Sequence, residues 1–254
     1  MSRFILIFGA LLLQMPVWAQ EELTIAAAAD LQSVMKEVAA RFEKQTGSRV
    51  KLSFGSSGNF FAQIQNGAPY DLFLSADLSY PARLEADGLT EPGSLYPYAV
   101  GRIVLWVPNR STIDLAKGLK AVIDPALKKL DIANPAHAPY GRAAEAALKN
   151  AHVWEEVSAK LVLGENISQT AQFVQSGNAD AGILALSLAL APAMRSQGRY
   201  FEIPQESYPR LQQAAVILRS AKHKELARRY LAFLKSEEIK SLLKGYGFAT
   251  EPAV

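Results

Sequence analysis

The sequence predicts two α/β lobes, each a mixed, mostly parallel sheet flanked by helices, joined by two crossing strands and separated by a cleft. Three observations carry this reading. Short apolar segments alternate with segments of helical periodicity along nearly the whole chain. Two apolar segments, Tyr98–Val107 and Gln213–Leu218, are placed to pass between lobes. Strands run straight into helices at turns of small residues near Ala29, Ser57 and Ile167. In an open parallel sheet such turns gather on one edge, where ligands bind. The expected division is residues 21–98 with 215–254 for lobe 1 and 99–214 for lobe 2.

The chain begins with Arg3, an apolar run from Phe4 to Leu13, Pro16, and then Val17-Trp18-Ala19. A positive charge, a short apolar core and a small-x-Ala end make a secretory signal over residues 1–19, cleaved after Ala19 and too short for a membrane span. The mature protein is therefore expected in a bacterial periplasm. Leu23–Ala28 reads as the first strand. Asp30 is placed to cap a helix whose apolar face is Leu31, Val34, Met35, Val38, Ala39 and Phe42, stopped by Gly47. Val50–Phe54 is the next strand.

That strand ends in Gly55-Ser56-Ser57-Gly58, and Phe60, Phe61 and Ile64 follow at helical spacing before Asn66-Gly67. The turn exposes backbone N–H groups at the positive end of a helix dipole, beside small hydroxyls, which suits an anion. The same residues also fit an ordinary capped turn. Asp71–Ser75 and Leu130–Ala133 are further strands, the second running into Asn134-Pro135-Ala136-His137-Ala138-Pro139-Tyr140-Gly141. A helix is expected over Arg142–Asn150. Lys160–Leu163 leads to a helix from about Ser168, ended by Gly177. Ala181–Leu186 is a strand with Ser187 at the start of a helix. His223–Leu234 and Glu237–Lys244 are amphipathic helices.

Composition narrows the function. The 254 residues carry a net charge of +3, spread along the helices, which argues against nucleic acid. With no cysteine there is neither a disulfide framework nor a thiolate site, and His137, His152 and His223 show no ligand spacing.

Five motifs in order resemble the periplasmic molybdate-binding components of ABC-type importers, type II solute-binding proteins. They are Ala26-Ala27-Ala28-Ala29-Asp30-Leu31, Gly55-Ser56-Ser57-Gly58, the run Asn66–Asp77, Asn134-Pro135 with Ala138–Gly141, and Gly245–Phe248. The resemblance implies two lobes closing over a tetrahedral dianion, with no catalytic group, no cofactor and no bare metal cation. By motif the ligand contacts are Ala29, Asp30 and Ser57 from one lobe and Tyr140 and Ile167 from the other. Ser57 is expected to give hydroxyl and N–H, and Tyr140 and Ile167 their N–H groups. Partners implied are molybdate or tungstate and the permease subunits; a monomer is expected, because one cargo goes to one transporter.

Two positions depart from the pattern. Asp30 stands where the family carries a neutral donor, and it is expected to turn from the ligand and cap the following helix. Ala185 stands where some members place a tyrosine hydroxyl. Arg142 reads as a solvated first-turn residue or as a rim charge that attracts anions. The remaining readings are the same fold holding sulfate, phosphate or a small organic solute, an interaction module without a ligand, and a serine hydrolase using Ser57. The last lacks a Gly-x-Ser-x-Gly turn centred on one serine.

Overall fold

A computed structural model of the chain describes residues 21–250. The signal segment expected over residues 1–19 lies outside the described residues. Among those residues no helix is long and apolar enough to cross a membrane.

The first half-fold runs β1 (Glu22–Ala28), a single 3-10 turn at Ala29–Leu31, α1 (Gln32–Thr46), β2 (Arg49–Gly55), α2 (Ser57–Gln65), β3 (Leu72–Ser75) and α3 (Ser79–Ala86). Then β4 (Tyr96–Gly101) closes this part and β5 (Ile103–Pro108) opens the second. The second continues through β6 (Leu130–Ala133), α4 (Pro139–Asn150), α5 (Trp154–Val157), β7 (Leu161–Gly164), α6 (Ile167–Ser176), β8 (Ala181–Ala185), α7 (Leu186–Ala189) and β9 (Gly198–Glu202). The chain returns through β10 (Leu211–Ile217), α8 (Lys224–Leu234) and α9 (Glu237–Gly245).

The strands form two five-stranded sheets on one plan, β2-β1-β3-β10-β4 and β7-β6-β8-β5-β9. Each has two parallel pairings followed by two antiparallel ones. The parallel character expected from strand–helix–strand runs therefore covers half of each sheet, and the strands nearest the lobe crossings supply the antiparallel half.

Tyr98–Val107, read as one long crossing strand, is two strands that part at Arg102 and belong to different sheets. Gln213–Leu218 does not cross. Its strand β10 lies wholly in the first sheet between β3 and β4, and the return passage is made by residues 203–210. β9 was not legible as a strand, because its residues are mostly exposed and the apolar pattern is weak.

Apolar packing fixes the helices on the sheets. The buried face of α1, with Val34, Met35, Val38 and Phe42, meets α8, where the Phe42 and Tyr230 rings pack edge to face at 5.0 Å. Gly47 ends α1 with φ 73°, a conformation that costs glycine nothing. Asn166 caps α6 by accepting from the Ser168 and Gln169 amides.

Candidate functional site

In each sheet two neighbouring parallel strands end side by side, β1 with β2 and β6 with β7. The four turns that follow line one small cavity. The β1 turn contributes Ala28, Ala29 and Asp30, and the β2 turn Gly55, Ser56 and Ser57. From the second sheet come Ala138, Pro139 and Tyr140 after β6, and Asn166 and Ile167 after β7. Ala76, just past β3, completes the lining. All five residues named from the sequence, Ala29, Asp30, Ser57, Tyr140 and Ile167, meet here. Ala185 is buried in β8 and does not line the cavity.

The lining is built for hydrogen-bond donation without positive charge. It holds no lysine, arginine or histidine. Ser57, Tyr140 and Ile167 each stand in the first turn of a helix, α2, α4 and α6, where amides have no acceptor within the helix. Among the described residues none of these three amides meets an acceptor outside its helix. The Ser57 hydroxyl accepts from the Ala76 amide at 3.0 Å, which leaves its own proton to give. The helix carrying Tyr140 starts three residues earlier than its periodicity implies, because Pro139 occupies the first helical position.

Asp30 does not cap α1. Leu31 holds the cap position of α1, Ala28 that of the 3-10 turn before it, and Asp30 lies inside that turn, from which its side chain cannot serve the turn's amides. Its carboxylate joins a buried network instead. Oδ2 accepts from the Tyr140 hydroxyl at 2.9 Å and from Gln213 Nε2 at 2.5 Å. Tyr98 donates to Gln213 Oε1 at 2.9 Å and so turns the amide nitrogen toward Asp30. Oδ1 is buried and has no partner. Burial raises the Asp30 pKa from 3.8 to about 6, and the bonds from Gln213 and Tyr140 hold back a larger rise. Burial, and then the charge of Asp30, pushes the Tyr140 phenol well above its usual value. The Tyr140 side chain, expected to matter less than its amide, is thus the link between the lobes at this point. Gly101 at the end of β4 makes room for it, since a Cβ there would run into the Tyr140 hydroxyl.

The outer side of the cavity is bridged as well. The His137 carbonyl accepts from Ser56 Oγ at 2.6 Å and from the Gly58 amide at 3.0 Å. A Cβ on Gly58 would stand 2.5 Å from that carbonyl, so this approach requires glycine. Asn59 donates to Glu165 at 2.6 Å, and Arg142 to Asp77 at 2.6 Å and to the Tyr80 hydroxyl at 3.1 Å. Arg142 is therefore neither free in solvent nor in the cavity lining; it ties α4 to the first sheet's turns. The two lobes are in contact on both walls of the cavity.

His137 Nδ1 lies 2.9 Å from Ser56 Oγ, not from Ser57. Because the Ser56 proton goes to a carbonyl, the imidazole is the donor in that pair. Neither serine thus presents its proton to a base.

Gln213, Tyr98 and Asn166 went unnamed as site residues in the sequence. Gln213 had a signal: it is a polar residue in an otherwise apolar strand, and it is fully buried.

A model of the family described as bacterial extracellular solute-binding protein matches residues 23–249. The molybdate-binding protein ModA of Azotobacter vinelandii is 39% identical over 252 residues, covering 99% of this chain and 98% of that one. ModA of Rhodobacter capsulatus is 39% identical over 233 residues, 92% of this chain and 90% of that one. The solved structure of the Azotobacter vinelandii periplasmic molybdate-binding protein aligns with a TM-score of 0.86 at 31% identity, covering 91% of this chain and all of that one.

Proposed function

The chain belongs to the bacterial extracellular solute-binding proteins, on their molybdate-binding branch, and from that premise we propose that it captures molybdate in the cavity between its lobes and delivers it to an ABC importer. Tungstate, of nearly the same size and shape, is held in the same way. The protein works in the periplasm as a monomer, and the site performs no chemistry on its cargo.

One observation carries this reading: a cavity lined from both lobes by helix-start amides and a serine hydroxyl, with no cationic side chain. A buried dianion needs no countercharge when enough oriented donors surround it. Hydrogen bonds to a charged group contribute about 1.5–3 kcal/mol each. Micromolar binding requires only about 8 kcal/mol net, so a handful of such bonds is enough after desolvation and closure are subtracted. In this reading Ser57 gives hydroxyl and N–H, Tyr140 and Ile167 give N–H groups, and Ala29 and Asp30 complete the shell. Neutral donors read geometry, and a protonated phosphate would set an O–H against a donor.

A thermal-shift screen of stripped protein tests it. Molybdate and tungstate should raise the melting temperature at concentrations where sulfate and phosphate do not. An equal response to sulfate would overturn the assignment.

A further inference from the structure

The proposed cargo is a dianion, yet the cavity it would enter is lined by an aspartate, Asp30, that is 1% exposed. Several elements supply the titratable and polar groups that meet Asp30, and α1, α6 and β2, which also pack against its turn, bring no charged group to it. The groups that meet it are the Tyr140 hydroxyl from α4, the Gln213 amide from β10, the Tyr98 phenol from β4 behind Gln213, and its own amide. The Ser187 hydroxyl from α7 is spent on the Asp30 backbone carbonyl at 2.8 Å. None of these is a cation. An ionised Asp30 would add a third uncompensated charge to a site that water screens poorly.

The hydrogen bonds around the carboxyl are asymmetric. Oδ2 is filled by two donors, while Oδ1 is buried with none. A proton on Oδ1 turns that orphaned acceptor into a donor, and an oxyanion in the cavity is the acceptor such a donor requires.

We infer that Asp30 holds the ligand as a neutral carboxylic acid, its Oδ1–H donating to one ligand oxygen, so that each dianion captured by ionised protein brings one solvent proton into the complex. This rests on the function proposed above. The raised pKa of about 6 in the empty site agrees with it, and a bound dianion lifts the value further. The sign follows. Below about pH 6 the acid is already neutral and affinity is level. Above that, binding has to bring the proton in, and affinity falls about tenfold per pH unit up to the pKa of the liganded group.

Calorimetric titration of stripped protein with molybdate, from about pH 6.5 to about pH 8.5 in buffers of different ionisation enthalpy, reads the proton directly. Uptake should approach one proton per ligand at the alkaline end. Asp30→Asn, which sets an amide N–H where Oδ1–H would be, should lose the uptake and flatten the pH profile, binding about tenfold or more tighter than wild type near pH 8. Wild-type binding without proton uptake overturns the inference and leaves the function standing. Uptake that persists in Asp30→Asn overturns it too. Absence of heat from both proteins at every pH removes the function and the inference together.

Discussion

Of the three aspartates buried among the described residues, Asp30 and Asp131 stand in equivalent halves of the molecule, and their surroundings differ. Asp30 follows β1 and Asp131 lies within β6, and these strands hold the same place in their sheets. Burial raises both carboxyls to about 6. Asp30 faces the seam between lobes, where a tyrosine from one and a glutamine from the other share one of its oxygens. The Asp131 carboxyl is buried inside the second lobe, where the Thr170 hydroxyl and the Gly164 amide beside it only moderate the rise. A perturbed pKa thus does not by itself mark a site. What separates the two is whether the carboxyl borders a space that a ligand could fill.

The largest effect expected from this contrast is on stability, at Asp131. The folded state holds the Asp131 proton up to about pH 6, whereas the unfolded chain releases it near 3.8. Stability is therefore fullest below about pH 4, declines as pH rises to about 6, and stays low above that. Asp131→Asn should raise the unfolding free energy by about 1–3 kcal/mol at pH 7 and leave the value at about pH 4 nearly unchanged. Urea denaturation at the two pH values measures this. Ligand affinity and its pH slope should not move, since Asp131 does not line the cavity. A shift in that slope would erase the distinction between the two carboxyls.

Tyr140→Phe sharpens the contrast by making Asp30 more like Asp131. It removes one of two donors from Oδ2 and leaves Gln213 in place. Loss of a hydrogen bond to a charged group disfavours ionisation, so the Asp30 pKa should climb from about 6. The pH at which molybdate affinity begins to fall should rise with it, and stability at neutral pH should drop by about 1–2 kcal/mol. Calorimetry against pH and a urea midpoint check both. An unchanged pH profile would mean that Tyr140 contributes only packing.

The seam was also the part of the molecule least legible in the sequence. Leu23–Ala28, Val50–Phe54 and Leu130–Ala133 could be read because apolar runs between helical stretches are local signals. Ala29, Asp30, Ser57, Tyr140 and Ile167 could be gathered into one candidate site because each sits at a strand-to-helix turn. The direction of the Asp30 side chain could not. Its local preference is to cap, and the partner that turns it elsewhere is 110 residues away. Gln213 is farther still, at 183 residues. The division of Tyr98–Val107 at Arg102 was hidden for a similar reason, since both halves are equally apolar and only the pairing partners distinguish them.

The smallest effect lies on the outer wall, at Arg142. Its ion pair with Asp77 joins the same two lobes as the Tyr140–Asp30 bond, but it is 38% exposed on the arginine side. Side chains that solvent reaches gain little from pairing, about 0.2–1 kcal/mol. The guanidinium also lies 5.5 Å from the Tyr80 ring centre, a contact of similar size at the surface. Arg142→Gln should therefore weaken molybdate binding by less than about fivefold, through easier opening of the lobes. The difference from wild type should shrink as salt rises, because screening has already weakened the pair. Stopped-flow measurement at low and high ionic strength separates this from the rim role expected of a free cation. A latch changes the dissociation rate; an anion-attracting charge changes the association rate. A loss confined to association would return Arg142 to the rim, and would leave the buried Tyr140–Asp30 bond as the stronger tie between the lobes.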